Sequence, residues 1–143
     1  MIEPTKRVWA TIDLKAFQKN LAVVSSLCTD SKIFPVIKSN AYGHGMEQVA
    51  RAALNSGTSI AGFAVATIQE AMDLRSLDLG QPILLLNGFF NEDELRLCME
   101  LKFEPVLHAN HQVELVSNFL AKKPLETPIK FWIKMNSGMN RLG

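Results

Sequence analysis

The 143 residues suffice for one domain with a real core and are too few for two of ordinary size. Hydrophobic residues make up 48% and charged residues 20%, which excludes a disordered chain; a formal net charge of +1, with 15 scattered basic residues, argues against nucleic acid as a partner. No apolar run reaches membrane-spanning length, Met1–Arg7 lacks the apolar stretch of a secretory signal, and Cys28 and Cys98 have no metal-ligand spacing. The expectation is a cytoplasmic protein without a metal or a membrane partner, and with two buried, reduced thiols.

Val8 to Ile12 reads as a short strand, after which Asp13 offers an N-cap. Leu14, Phe17, Leu21, Val24 and Cys28 follow at spacings of three and four, the apolar face of a helix. Phe34 to Lys38 is a strand with Phe34, Val36 and Lys38 on one face, and a helix runs from about Met46 to Asn55. Ile60 to Ala66 is a small apolar strand, and Thr67-Ile68-Gln69-Glu70 is a capping box that opens the next helix. Pro82 to Leu86 is a strand, and Asn91 caps a helix whose first turn is acidic, as the helix dipole favours. Pro105 to Leu107 is a short strand, and Asn110 caps a further helix. Pro124 and Pro128 bracket a loop, and the last strand spans Ile129 to Met135.

Apolar strands alternating with helices predict a parallel sheet, either open and doubly wound or part of an eight-stranded barrel. The last strand separates Ile129, Phe131, Ile133 and Met135 from Lys130, Trp132, Lys134 and Asn136. A strand covered on both sides is apolar on both faces, so this polar face suits a barrel lumen or a cleft wall.

The chemistry concentrates in Pro35-Val36-Ile37-Lys38-Ser39-Asn40-Ala41-Tyr42-Gly43-His44-Gly45. A buried strand that delivers a lysine amine to its end spends a charge unusually, and Schiff-base chemistry with a carbonyl is a use for it; snorkelling to solvent is the plain alternative. Gly43 and Gly45 do not begin a dinucleotide fingerprint, because Gln48 stands where its third glycine belongs. His44, His108 and His111 are isolated in sequence. Lys134 and Arg141, near the end of the last strand, form either a solvated basic surface or an anion site suited to a carboxylate or phosphate.

Val36 to Gly45 closely resembles the pyridoxal-phosphate attachment motif of bacterial alanine racemases. Lys134-Met135-Asn136-Ser137-Gly138-Met139-Asn140-Arg141-Leu142-Gly143 resembles a second block of that family, and Trp9 to Leu14 is similar to its usual start. The resemblance implies an α/β fold, the N-terminal portion (about five strands) of an incomplete (β/α)8 barrel, with pyridoxal 5'-phosphate on Lys38. By the same resemblance Lys38 is also the base for the D-enantiomer's α-proton, Tyr42 contacts the cofactor phosphate, and Arg141 lies near the cofactor's phenolic oxygen and the substrate carboxylate. Lys134 matches a lysine often found as its carbamate, an anion that would hold the Arg141 guanidinium. The implied activity interconverts L- and D-alanine and supplies D-alanine for peptidoglycan, in a homodimer whose partner subunit lends a tyrosine as the second base.

Members of the family continue beyond residue 143, through the rest of the barrel and a β-rich C-terminal domain. The resemblance therefore covers their N-terminal part only, and the expectation is a chain that self-associates and is inactive alone. Ser39, where alanine is commoner, and Asn136, where an acid is common, are small departures. The competing readings are a racemase for another amino acid, a decarboxylase on the same barrel, a non-catalytic pyridoxal-phosphate binding protein, or a fragment without activity.

Overall fold

The computed structural model describes residues 8–122 and 128–143. Met1–Arg7 and most of the expected 124–128 loop lie outside the described residues.

Local sequence signals set most of the helix ends. In α1 (Leu14–Leu27) the Asp13 carboxylate accepts the Lys15 and Ala16 N–H groups, each at 3.0 Å. In α4 (Ile68–Ser76) Thr67 and Glu70 form the expected capping box, and in α5 (Glu92–Glu100) Asn91 Oδ1 accepts the Glu94 N–H at 2.9 Å. The remaining right-handed helices are α3 (Met46–Leu54) and α6 (Asn110–Lys122). Lys38–Tyr42 forms a further one-turn element, α2, of unusual handedness.

Strands β1 (Phe63–Val65), β2 (Ile83–Leu85), β3 (Phe103–Leu107) and β4 (Trp132–Ile133) are all parallel and neighbour one another in chain order. Residues 33–37 add a fifth segment beside β1: Val36 bridges Ala64, the Ile37 N–H donates to the Ala64 carbonyl at 2.9 Å, and the Ala64 N–H donates to that of Pro35 at 2.9 Å. A doubly wound sheet reverses its strand order at a switch point; this one never does, and so follows the wall of a barrel. Its curvature is visible in one contact. The Phe34 ring meets Trp132 edge-on with centroids 5.8 Å apart, although β1, β2 and β3 separate their strands. In a flat sheet four inter-strand steps would hold them about 19 Å apart. The chain is thus the N-terminal portion of a (β/α)8 barrel, and the choice left open by the strand pattern falls to the barrel.

The outer face of the sheet buries Phe63, Val65, Ile83, Leu85 and Phe103 against Ala50, Ala53, Leu74, Leu95, Cys98 and Phe119 of the helices. On the inner face, Glu104 Oε2 accepts Trp132 Nε1 at 2.7 Å and pairs with Lys130 Nζ at 2.9 Å. The polar face of the last strand is therefore a lumen face.

Several expectations fail for one reason: a periodic pattern marks an apolar face without showing how far its cover extends. Val8–Ile12 is no strand, because none of the described residues pairs with its backbone, and Trp9 is 78% exposed. The α1 stripe is buried at Leu21 only; Val24 and Cys28 run past the layer beneath and are exposed. β4 is two residues long instead of seven, with Ile133 and Met135 in the open.

The two thiols consequently differ. Cys98 is buried, and that burial, with Glu94 nearby, pushes its thiol up to about 12. At pH 8 the native chain is expected to take iodoacetamide at the exposed Cys28 and not at Cys98, which is buried and whose thiol that burial holds protonated. Peptide mapping with and without urea reads this directly; equal labelling of both in the native state would contradict the packing described.

Candidate active site

The strand expected over Phe34–Lys38 is reduced to a single bridge at Val36, and Lys38 itself opens the one-turn element that follows, in a conformation that most of its residues do not favour. Ser39, Asn40 and Ala41 have φ of 52–53° and ψ of 47–50°, and Tyr42 follows with φ 54°. This is a left-handed turn built without glycine, which costs roughly 1–2 kcal/mol per residue before compensation. The sequence pattern assigned no element to these residues; the surroundings impose this one. The Ala41 N–H donates to the Ile37 carbonyl at 2.8 Å, Gly43 to Ser39 at 3.0 Å and Gly45 to Asn40 at 2.9 Å. Asn40 Oδ1 accepts the Met46 N–H at 2.8 Å, which ties the turn to the start of α3. Ala41 is buried, so the turn is also packed from below.

The effect is to bring Lys38 and Tyr42 together. The lysine Nζ stands 5.9 Å from the centre of the Tyr42 ring, and the tyrosine itself is 59% exposed. Beneath the turn, Thr11, Phe17, Val36, Tyr42 and His44 help to line a cavity of about 450 Å³. Its walls are mixed, with Asp13, which caps α1, and Asn20 within that helix among apolar neighbours. His44 has a local bond, Nδ1 lying 2.9 Å from the Ala41 carbonyl.

Lys134 and Arg141 lie at the opposite edge of the sheet, and three strands intervene. The Lys134 N–H donates to the Leu107 carbonyl at 2.9 Å, one bond beyond β4. The Asn136 amide shapes the turn that follows. Its oxygen accepts the Gly138 and Asn140 N–H groups, and its nitrogen donates to Asn140 Oδ1 at 2.9 Å, a bond no carboxylate could make. Arg141 is exposed, and no ion pair among the described residues includes it or Lys134. Because the paired segments are all parallel, the chain leaves the first of them through Lys38–Tyr42 and the last through Lys134–Arg141 at the same end of the sheet.

Two contributors escaped the sequence reading. Glu70 was legible as the end of a capping box, but not as a partner of residues beyond its own helix. Its Oε1 accepts the Ser39 N–H at 2.7 Å, while Oε2 accepts those of Ala66 at 2.8 Å and Thr67 at 3.1 Å. Burial pushes the Glu70 carboxyl up, but these three bonds and the positive Lys38 outweigh it and leave it below its ordinary value. Gln112 carried no signal at all. It is fully buried, with Nε2 donating to the Phe89 and Asn87 carbonyls and Oε1 accepting the His108 N–H at 2.8 Å. It locks together the chain segments that follow β2 and β3.

These features define a class: a parallel α/β barrel wall with a lysine, a phenol, a second lysine and an arginine in the segments that follow the C-terminal ends of its strands, where barrel proteins gather their catalytic groups. Comparison with known proteins narrows the class. The profile of the alanine racemase N-terminal domain matches residues 12–143, and the chain belongs to that family. It is similar to the alanine racemase of Vibrio cholerae serotype O1, with 40% identity over 138 residues, 96% of this chain and 36% of that protein. Among solved structures it is similar to the alanine racemase from Acinetobacter baumannii, at 41% identity and a TM-score of 0.78, covering 92% of this chain and 36% of that one. It is also similar to the alanine racemase from Bartonella henselae with covalently bound pyridoxal phosphate, at 29% identity and a TM-score of 0.79, covering 92% and 36%. The chain thus spans about a third of the length of the relatives it matches.

Proposed function

We propose that these residues are the N-terminal part of an alanine racemase barrel domain and that Lys38 Nζ is the covalent attachment point for pyridoxal 5'-phosphate. The observation that carries the reading is the position of Lys38, at a parallel strand's C-terminal end on a strained turn within the matched region. The donors in the segments at this end of the sheet fit an anionic carbonyl compound: a primary amine, a phenol and a guanidinium.

In this reading the Tyr42 hydroxyl donates to the cofactor phosphate. The Arg141 fork would hold the substrate carboxylate and the cofactor's phenolic oxygen. Lys134, as its carbamate, holds the guanidinium by charge-assisted hydrogen bonds. When bound, the pyridine ring supplies an electron sink for the pair left on Cα as the α-proton departs. Lys38 Nζ, released when the substrate's amino group takes its place, would take that proton from D-alanine and return one to the same face in the opposite direction. L-alanine requires a base on the other face, a tyrosine of the partner subunit in this reading, and it would lie outside these 143 residues. The expected result for these residues alone is cofactor capture without racemisation, and self-association through the open edge at β4. The biological role is supply of D-alanine for peptidoglycan in the cytoplasm.

The test is reconstitution. Pyridoxal phosphate added to the chain and fixed with borohydride is expected to label the peptide that contains Lys38 ahead of the other lysine peptides. Labelling spread evenly over the lysines would defeat the assignment.

A further inference from the structure

Lys38 is held between two amides, and both are tied to the same neighbour. On its N-terminal side the Ile37 N–H donates to the Ala64 carbonyl at 2.9 Å. On its C-terminal side the Ser39 N–H donates to Glu70 Oε1 at 2.7 Å. Ala64 lies in β1 and Glu70 in the helix that follows it, so β1–α4 grips the lysine's backbone before and after the side chain. Of the bonds that the Glu70 carboxylate accepts, a capping box needs only the one from the Thr67 N–H. The bond to Ser39 crosses 31 residues and contributes nothing to the helix end. It fastens the first residue of the left-handed turn, where the backbone would otherwise relax towards its preferred region.

We propose that Glu70 is a positioning residue for Lys38: its carboxylate bridges the ends of two adjacent parallel strands, holds the turn in its left-handed form, and so sets the direction in which the lysine amine leaves the sheet. The negative charge suits the place, because Lys38 itself is among the groups that favour the ionised carboxylate. The inference rests on the reading of Lys38 as the cofactor's attachment point, and its test separates the two.

Glu70→Gln is the informative variant. Glutamine still forms a capping box, but its single carbonyl oxygen cannot serve both the Ala66–Thr67 amides and Ser39, and its NH₂ group opposes an N–H. Thr67→Ala is the complement: it weakens the cap and leaves the carboxylate in place. In the 143-residue chain, Glu70→Gln is expected to speed exchange of the Ser39 amide hydrogen about tenfold, the loss of one hydrogen bond to a charged group. It should also slow borohydride-fixed labelling of Lys38 by pyridoxal phosphate about as much. Thr67→Ala should lower the Tm and leave both readouts unchanged. Exchange at Ser39 that is unaltered by Glu70→Gln overturns the bridge, and released exchange with unaltered labelling overturns the positioning role. If the unsubstituted chain takes no label at Lys38, the cofactor reading fails, and the Ser39 exchange rate alone decides for or against the bridge.

Discussion

Lys38→Ala is expected to abolish the borohydride-fixed pyridoxal phosphate adduct on its peptide, and Lys38→Arg to abolish it equally. The arginine variant keeps charge and length, yet its guanidinium is never deprotonated in a protein and cannot add to an aldehyde. Loss in both variants thus separates nucleophilic chemistry from mere attraction of an anionic phosphate, which arginine would preserve. Neither substitution should unfold the chain. The described contact that Lys38 Nζ makes is with the exposed Tyr42 ring at 5.9 Å, and such a cation–π pair contributes about 0.5–1 kcal/mol. A small stability change beside an all-or-none chemical change is the pattern expected of a residue whose place is set by its backbone. Retention of the adduct in either variant would move the attachment point to another lysine. A fall in Tm of more than a few degrees would show that Lys38 supports the fold.

Gly88→Ala, by contrast, is expected to leave the chemistry at Lys38 alone and to destabilise the barrel wall by about 3 kcal/mol. Gly88 is buried after β2 at a φ of 65°, where a side chain is disfavoured on backbone grounds alone. A methyl group there would overlap the Val106 carbonyl oxygen and come within 2.5 Å of Gln112 Nε2. The oxygen belongs to a strand fixed by neighbours on both sides, so the amide must yield. Displacing Gln112 strips bonds from a fully buried polar group, and an unpaired buried amide costs about 1–3 kcal/mol. For a domain of this size the fall in Tm is roughly 6–12 °C. Gly57→Ala is the control: φ is 75° there, but nothing stands within 4 Å of the added methyl. It should cost about 1 kcal/mol, the backbone penalty alone. Equal losses for the two variants would show that the Gln112 knot contributes nothing.

What could be read in the sequence was what is local. Asp13, Thr67 with Glu70, and Asn91 cap their own helices within three residues, so each signal lies next to its effect. The polar and apolar faces of residues 129–136 were legible because alternation needs no knowledge of the neighbour. Strand order was not, because whether a sheet reverses or curls depends on pairings made after long helical excursions. The exposure of Val24, Cys28 and Ile133 was hidden for a related reason: their covering layer is a matter of other elements' lengths. Most opaque was the turn at Ser39–Tyr42, since serine, alanine and tyrosine carry no preference for left-handed backbone. The family resemblance marked these residues as important, and only the geometry shows the conformation that they hold.

That conformation also restricts which residues the chain can tolerate. In left-handed backbone, valine, isoleucine and threonine are the worst tolerated of the ordinary side chains, because their branched Cβ crowds the following carbonyl. Positions 39 to 42 are therefore closed to the β-branched residues that strand ends usually favour, whatever those residues might do for the chemistry nearby. At position 41 burial excludes bulk as well, which leaves alanine, glycine and little else. The composition of this short segment is thus filtered by handedness before any substrate or cofactor places a demand on it.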